Sequence, residues 1–441
     1  MSQSPSEAGV GGPVSHPPQG NLLGVDLTDL DNFANGFPHE TFARHRQLAP
    51  IFWHEPTGKT PDGEGFWSVA TYAEAVSIMH DPVTFSSETG GGRPYGGTII
   101  PDLPAAGKML NMMDDPRHLR IRRLVNRGFT PKMVGSLEED LRTRTRRIIS
   151  KVVERTSDGE EGRCDFLVDI AAELPLQVIC HLIGAPESDR SNLIEWVEYA
   201  FDFRDGDAYG DSEASRNAMM NLVTYGSQLI QEKTRHPGDD MLSTVIHAGL
   251  PDETPSRLTR EELELFFALL FAAGADTTRN AIAGGVLALI ENPDQLAIVR
   301  KDPTTLTTAT DEIVRWVSPA AYNRRTATVD VELSGVRIKA GDKVVFWEAS
   351  ANRDEKAFPD AGCFRVKRSP NAHLGFGHGP HHCLGANLAR LEIAVTLGEA
   401  LASFSHLELA GPVEWTRSNK HIGIRHLPLA YRLNPARARV T

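Results

Sequence analysis

The sequence predicts a mainly α-helical protein with a smaller β region, folded as a single large domain. Three observations predict this. Apolar residues recur near the 3.6-residue period through the middle of the chain. A section beginning near residue 325 alternates with period two instead. No internal repeat appears, and no linker divides the chain after residue 20.

Taken in order, the first 20 residues, "MSQSPSEAGVGGPVSHPPQG", are rich in Ser, Pro and Gly and lack the positive start and apolar centre of a signal peptide. They read as a flexible tail ahead of a domain spanning residues 21–441. "HETFARHRQLAP" reads as a short helix and "GFWSVATYAEAVSIMHD" as a strand running into another. Residues 84–111, "TFSSETGGGRPYGGTIIPDLPAAGKMLN", are loaded with Gly and Pro. A loop of that length is unusual without a functional reason, and a mobile lid is expected there.

Helical periodicity then runs through "GSLEEDLRTRTRRIISKVVERT", "DFLVDIAAELPLQVICHLIG", "SDRSNLIEWVEYAF" and "ASRNAMMNLVTYGSQLIQEKTRH". Thr259 and Glu262 form a capping box that opens a long apolar helix. Asp276, Arg279 and Asn280 interrupt its apolar run, which therefore falls short of the ~18 residues a membrane span needs. A buried core helix and no membrane span are expected. "TTLTTATDEIVRWVS" is a further helix, stopped before Pro319. The β section "RTATVDVELSGVRIKAGDKVVFWEAS" turns at Ser334-Gly335 and Ala340-Gly341, and a last helix begins at "LGANLARLEIAV".

The formal net charge of -12 argues against general nucleic-acid or anionic-membrane binding. Four scattered cysteines, Cys164, Cys180, Cys363 and Cys383, show no disulfide framework and no CxxC pair, which fits a reducing cytoplasm.

The densest chemistry is "GFGHGPHHCLG", residues 375–385, with His378, His381, His382 and Cys383 close together. A zinc site would need four ligands, and no second pair lies nearby. A cysteine nucleophile with a histidine base is another reading, and an idle surface loop a third. The wider pattern is F-x-x-G-x-x-x-C-x-G, formed by Phe376, Gly379, Cys383 and Gly385. It places Cys383 at the end of a Gly-rich loop where a helix begins. Backbone N–H groups and the helix dipole there stabilise negative charge on sulfur, as suits a thiolate axial ligand to haem iron.

At this motif the chain resembles the cytochrome P450 family, and three distant segments fit the same pattern. "AGADTT", Ala273 to Thr278, puts an Asp-Thr pair inside the apolar helix, where it could otherwise be a polar step facing a neighbouring helix. "EIVR" supplies Glu312 and Arg315, which as an exposed i,i+3 pair would contribute only tenths of a kcal/mol. "DPRHLRIRR" supplies His118 and Arg122, otherwise readable as a solvated basic helix.

The resemblance implies a P450 fold over roughly residues 21–435 and a haem b cofactor, with Cys383 as the metal ligand. It implies that Ala273 and Gly274 leave room for dioxygen, that Thr277 hydrogen-bonds the oxygen being activated, and that Asp276 relays protons from solvent, making this pair catalytic. His118, Arg122, Arg325 and His381 would contact the haem propionates, while Phe376, Gly377 and Gly385 belong to the cofactor-binding loop. Glu312, Arg315 and Arg368 would hold the haem-side core together. The implied activity is monooxygenation of a bulky apolar substrate such as a steroid, terpenoid or lipid. The most similar subgroup is that of soluble actinobacterial P450s, near the mycobacterial cholestenone and methyl-branched lipid hydroxylases.

No reductase is fused to the chain, so electrons are expected from a separate ferredoxin and ferredoxin reductase. The basic run Arg117, Arg120, Arg123, Arg127 and Lys132 is a docking patch in this reading, and a solvated helix face otherwise. The substrate pocket is expected to draw on residues 85–111, 201–210 and 318–323 and on the core helix. A haem-thiolate sensor and a P450 using peroxide directly are the rival classes. The Asp276-Thr277 pair favours oxygen activation over both.

Overall fold

The computed structural model describes residues 24–156, 161–200 and 213–435. The N-terminal tail and the expected pocket segment 201–210 lie outside these described residues.

The fold is organised around the helix Arg260–Glu291. The Thr259 hydroxyl accepts from Glu262 N–H and the Glu262 carboxylate accepts from Thr259 N–H, so the capping box is complete. From Ala275 to Leu289 nearly every residue of this helix is buried except Thr277, because neighbours surround it: Glu173–Leu182, Glu213–Arg235, Leu306–Val317 and Ala386–Ser403. Gly284 and Gly285 let Leu306–Val317 come close. A Cβ on either would stand 2.7 Å from Val317 or 2.9 Å from Ile313. No single helix among the described residues is long and apolar enough to cross a membrane.

The β region is a five-stranded sheet in the order Ile51–His54, Phe66–Val69, Lys343–Phe346, Asn323–Ala327, Phe85–Ser86. Phe66–Val69 runs parallel to Lys343–Phe346, and the other neighbours are antiparallel. Phe66–Val69 leads into the helix Tyr72–His80. Val331–Leu333 and Val336–Ile338 form a hairpin whose turn residues Ser334 and Gly335 both take positive φ, as a two-residue turn requires.

The expected lid is tied down over part of its length. Arg324, fully buried, donates to the carbonyls of Ile99, Ile100 and Pro101 and to the Asp102 carboxylate. Arg93 donates to Glu64 and Asp102. Ile99 and Ile100 are buried in the core beside Tyr322 and Trp347. Composition signalled a loop correctly, but these anchors oppose free movement of residues 99–102. Residues 318–323 are also mostly core, with Ser318, Ala321 and Tyr322 buried; only Ala320 and Asn323 retain partial access.

Candidate active site

Cys383 sits in the loop between His378 and the helix Ala386–Ser403. Its N–H donates to the Phe376 carbonyl at 2.7 Å, closing the loop on itself. Gly379 makes the close approach possible. Its φ is +67°, and a Cβ there would lie 2.5 Å from the Met79 carbonyl at the end of Tyr72–His80. Cys383 is surrounded by protein yet keeps an accessible surface. Both hold for a residue on the wall of an internal hollow. Burial pushes its thiol up, while the Gly385 N–H, Arg122 and Arg390 act to lower it. A coordinating metal deprotonates such a thiol outright.

Ala273 is exposed in the middle of the core helix, with Gly274 and Thr277 partly so. Residues 273 and 277 lie one helical turn apart on one face. The Thr277 hydroxyl donates to the Ala273 carbonyl at 2.9 Å. Asp276 points away from that stripe and is buried. Its Oδ1 accepts from Arg279 Nη2 at 3.0 Å and Asn280 Nδ2 at 2.9 Å.

The four expected propionate partners come from three segments. His118 and Arg122 lie on the helix Arg117–Val125, Arg325 on the strand Asn323–Ala327 and His381 in the cysteine loop. The His118 and His381 rings are 4.2 Å apart. Among the described residues, neither Arg122, Arg325 nor His381 has a carboxylate within ion-pair distance. The Arg325 guanidinium donates to the Arg324 carbonyl at 2.8 Å and lies over the Phe346 ring. Arg122 donates to the His382 carbonyl. His118 Nδ1 meets Asp115, whereas its buried Nε2 has no hydrogen-bond partner.

Burial lowers the Arg325 guanidinium to about 10, and burial with Arg325, His118 and Arg122 nearby lowers His381 to about 2. A deep concentration of donors and cations this poor in counter-charge fits a dianionic group. The haem fits on both counts: an accessible sulfur for the metal, and cations with an orphaned donor for two carboxylates.

The other sequence candidates divide. Glu312 accepts from Arg315 Nε at 2.7 Å, Arg315 Nη2 at 2.8 Å and Arg368 Nε at 3.0 Å, all three residues being buried. His378 accepts from Gly379 N–H and packs against His80, and His382 is exposed. In the basic run, Arg117, Arg123, Arg127 and Lys132 are exposed, but Arg120 is buried and paired with Glu262. Arg120 is therefore removed from the expected docking surface: it is turned inward, and the core helix supplies its partner Glu262. Sequence reasoning missed Arg279, Asn280 and His421 around Asp276, and also Arg390, which stacks over Phe376 at 4.5 Å. Arg279 and Asn280 carried a signal, as polar residues following Asp276 in an apolar helix.

A family model described as cytochrome P450 matches residues 97–434. Cytochrome P450 126 of Mycobacterium tuberculosis is 55% identical over 419 residues, which cover 93% of this chain and 98% of that protein. The methyl-branched lipid omega-hydroxylase of the same species is 38% identical over 395 residues, covering 87% and 89%. A Mycobacterium marinum cytochrome P450 solved in complex with pseudoionone superposes with a TM-score of 0.83 at 32% identity, covering 94% of this chain and 100% of that one. The chain belongs to the cytochrome P450 family and is a P450 monooxygenase with a haem-iron cofactor.

Proposed function

We propose that this protein is a haem-thiolate monooxygenase that inserts one atom of dioxygen into a bulky apolar substrate, with electrons supplied by a separate ferredoxin and its reductase. The cofactor is haem b, and when bound it supplies the dioxygen chemistry. Cys383 holds the iron, with Phe376, Gly377 and Gly385 shaping the loop around it. His118, Arg122, Arg325 and His381 hold the propionates.

Ala273 and Gly274 leave the accessible strip of the core helix without bulk, so a small diatomic can lie against it. Thr277 positions its hydroxyl on the same strip. Asp276, anchored by Arg279 and Asn280, holds the carboxylate from which protons reach Thr277. A bulky apolar substrate seated there would exclude water and keep these dipoles effective. A steroid, terpenoid or lipid is the substrate class. Residues around 117–132, without Arg120, form the ferredoxin face. The four cysteines are free, and a reducing cytoplasm is the location proposed.

The observation that carries the reading is the accessible sulfur of Cys383 beside cations that lack carboxylate partners. The absorption spectrum of the reduced, carbon monoxide-bound protein tests it. The wild type should give the red-shifted band of thiolate ligation and Cys383→Ser should not; an unchanged band in the variant refutes the assignment.

A further inference from the structure

His421 lies in a segment clamped against residues 319–321. The Ala321 N–H donates to the Lys420 carbonyl and the Ile422 N–H to the Pro319 carbonyl, each at 2.9 Å, with a β-bridge between Ala320 and His421. This clamp carries the ring to the core helix, where His421 Nδ1 stands 3.3 Å from Asp276 Oδ2. That oxygen is the one left over, because Arg279 and Asn280 both bind Oδ1.

The contact is close but out of line, so that buried Nδ1 makes no formed hydrogen bond. The His421 side chain is 35% accessible although protein surrounds it, against 10% for Asp276. The ring thus spans from solvent-reachable space to a carboxylate that is itself shielded. Asn280 ties the same acid to the same segment, since its Oδ1 accepts from Ile424 N–H at 3.0 Å. Acid and imidazole are therefore fixed relative to each other by two independent links.

We propose that His421 delivers protons to Asp276, and through it to Thr277, during dioxygen activation. The inference rests on the reading of Asp276 and Thr277 given above. The ring takes a proton from water at Nδ1 when turned toward the accessible side, becoming an imidazolium. On turning back it releases that proton to Asp276 Oδ2 and is neutral again. Asp276 passes one proton on to the Thr277 side and regains its charge. Two such deliveries supply the two protons that splitting dioxygen to release water consumes.

The groups facing His421 are Asp276, which favours its charged form, and Lys420 and Arg279, which with burial disfavour it. A loaded ring therefore gives up its proton readily. His421 acts through Asp276 and is a positioning and relay residue.

The test uses the full-length, haem-loaded protein with a plant-type ferredoxin, its reductase and NADPH, in light and heavy water. His421→Asn keeps a donor where Nδ1 stood but cannot carry a proton; His421→Phe keeps only the bulk. A relay predicts that both variants slow NADPH oxidation roughly 100-fold, the lower end of what one positioned acid contributes. Both should also enlarge the solvent isotope effect and lose the acid-side step of the pH profile. Wild-type behaviour in His421→Asn would show that the ring only positions Asp276 and would overturn the proposal, whether or not His421→Phe folds.

A second readout needs no turnover. In the reduced, carbon monoxide-bound protein the His421 ring resonance, identified by its absence in His421→Asn, should titrate at a lower pH when Asp276 is replaced by Asn. An unchanged titration would also refute the coupling. Failure of the wild type to give the thiolate band would instead strike the haem-thiolate reading.

Discussion

At Glu312 the buried charges close on one another; around Arg325 they do not. The first cluster gives the Glu312 carboxylate five donors, from Arg315, Arg368, the Arg365 N–H and Asn371, and uses the remaining guanidinium N–H groups on the carbonyls of Asn352, Pro359, Ala361 and Cys363. The second gathers two arginines and two histidines, and among the described residues the one carboxylate within ion-pair distance of them is Asp115, on His118. Both are deeply set and both lie near the cysteine loop. A saturated cluster is an end in itself and holds the fold, whereas an unsaturated one is a request for something not made of protein.

Breaking the saturated side should have the largest effect. Removing one partner of a buried pair costs ~3–5 kcal/mol, so Glu312→Ala should fail to accumulate as folded protein or melt about 10 °C lower, with or without haem. A thermal melt of both forms checks this. Equal melting of variant and wild type would mean that the network contributes nothing.

The unsaturated side should respond with opposite signs. Arg325→Leu removes a buried cation from the haem-free protein, which should be no less stable. The same change should weaken haem retention by about 1.5–3 kcal/mol, the value of a hydrogen bond to a charged group. Haem transfer to an excess of scavenging apoprotein measures it, and Arg122→Leu should act in the same direction. Destabilisation of the haem-free form would place Arg325 with the first cluster.

Glu392 sharpens the comparison as a buried acid with no cluster at all. Its Oε2 has no hydrogen-bond partner, and burial raises the carboxyl from 4.5 to about 8. The folded state therefore holds a proton that the unfolded chain releases near 4.5. Its contribution to stability is complete below that pH and is lost as pH rises through about 8. The wild-type melting temperature should fall between pH 5 and 8, and Glu392→Gln should flatten that fall. Smallest of all is the exposed face: charge reversal at Arg127 and Lys132 should leave melting unchanged while slowing reduction by ferredoxin, most at low salt.

Much of this architecture was legible in the sequence because it depends on local pattern. Periodicity located the helices, the capping box placed the start of the core helix, and Ser334-Gly335 fixed a turn. The cysteine loop could be recognised from its glycines, since Gly379 is required by φ and by the nearby Met79 carbonyl. Direction was less legible than position. Arg324 and Arg325 are adjacent on a strand, so their side chains leave on opposite faces. One pins residues 99–102 and the other joins the histidines, and composition could not assign them. Arg117 and Arg120 lie one turn apart and both reach Glu262, yet Arg117, at the start of the helix, stays exposed while Arg120 is buried. His421 stands 145 residues from Asp276, and no local signal marked it.

The four propionate candidates span residues 118 to 381 and meet only when the β-sheet, the helix Arg117–Val125 and the cysteine loop have all docked. No fragment of the chain could hold the pigment in this arrangement. Red colour in a purified preparation therefore counts only those molecules in which all three have docked and the pigment is held, and cells starved of iron should accumulate a pale form of the same polypeptide.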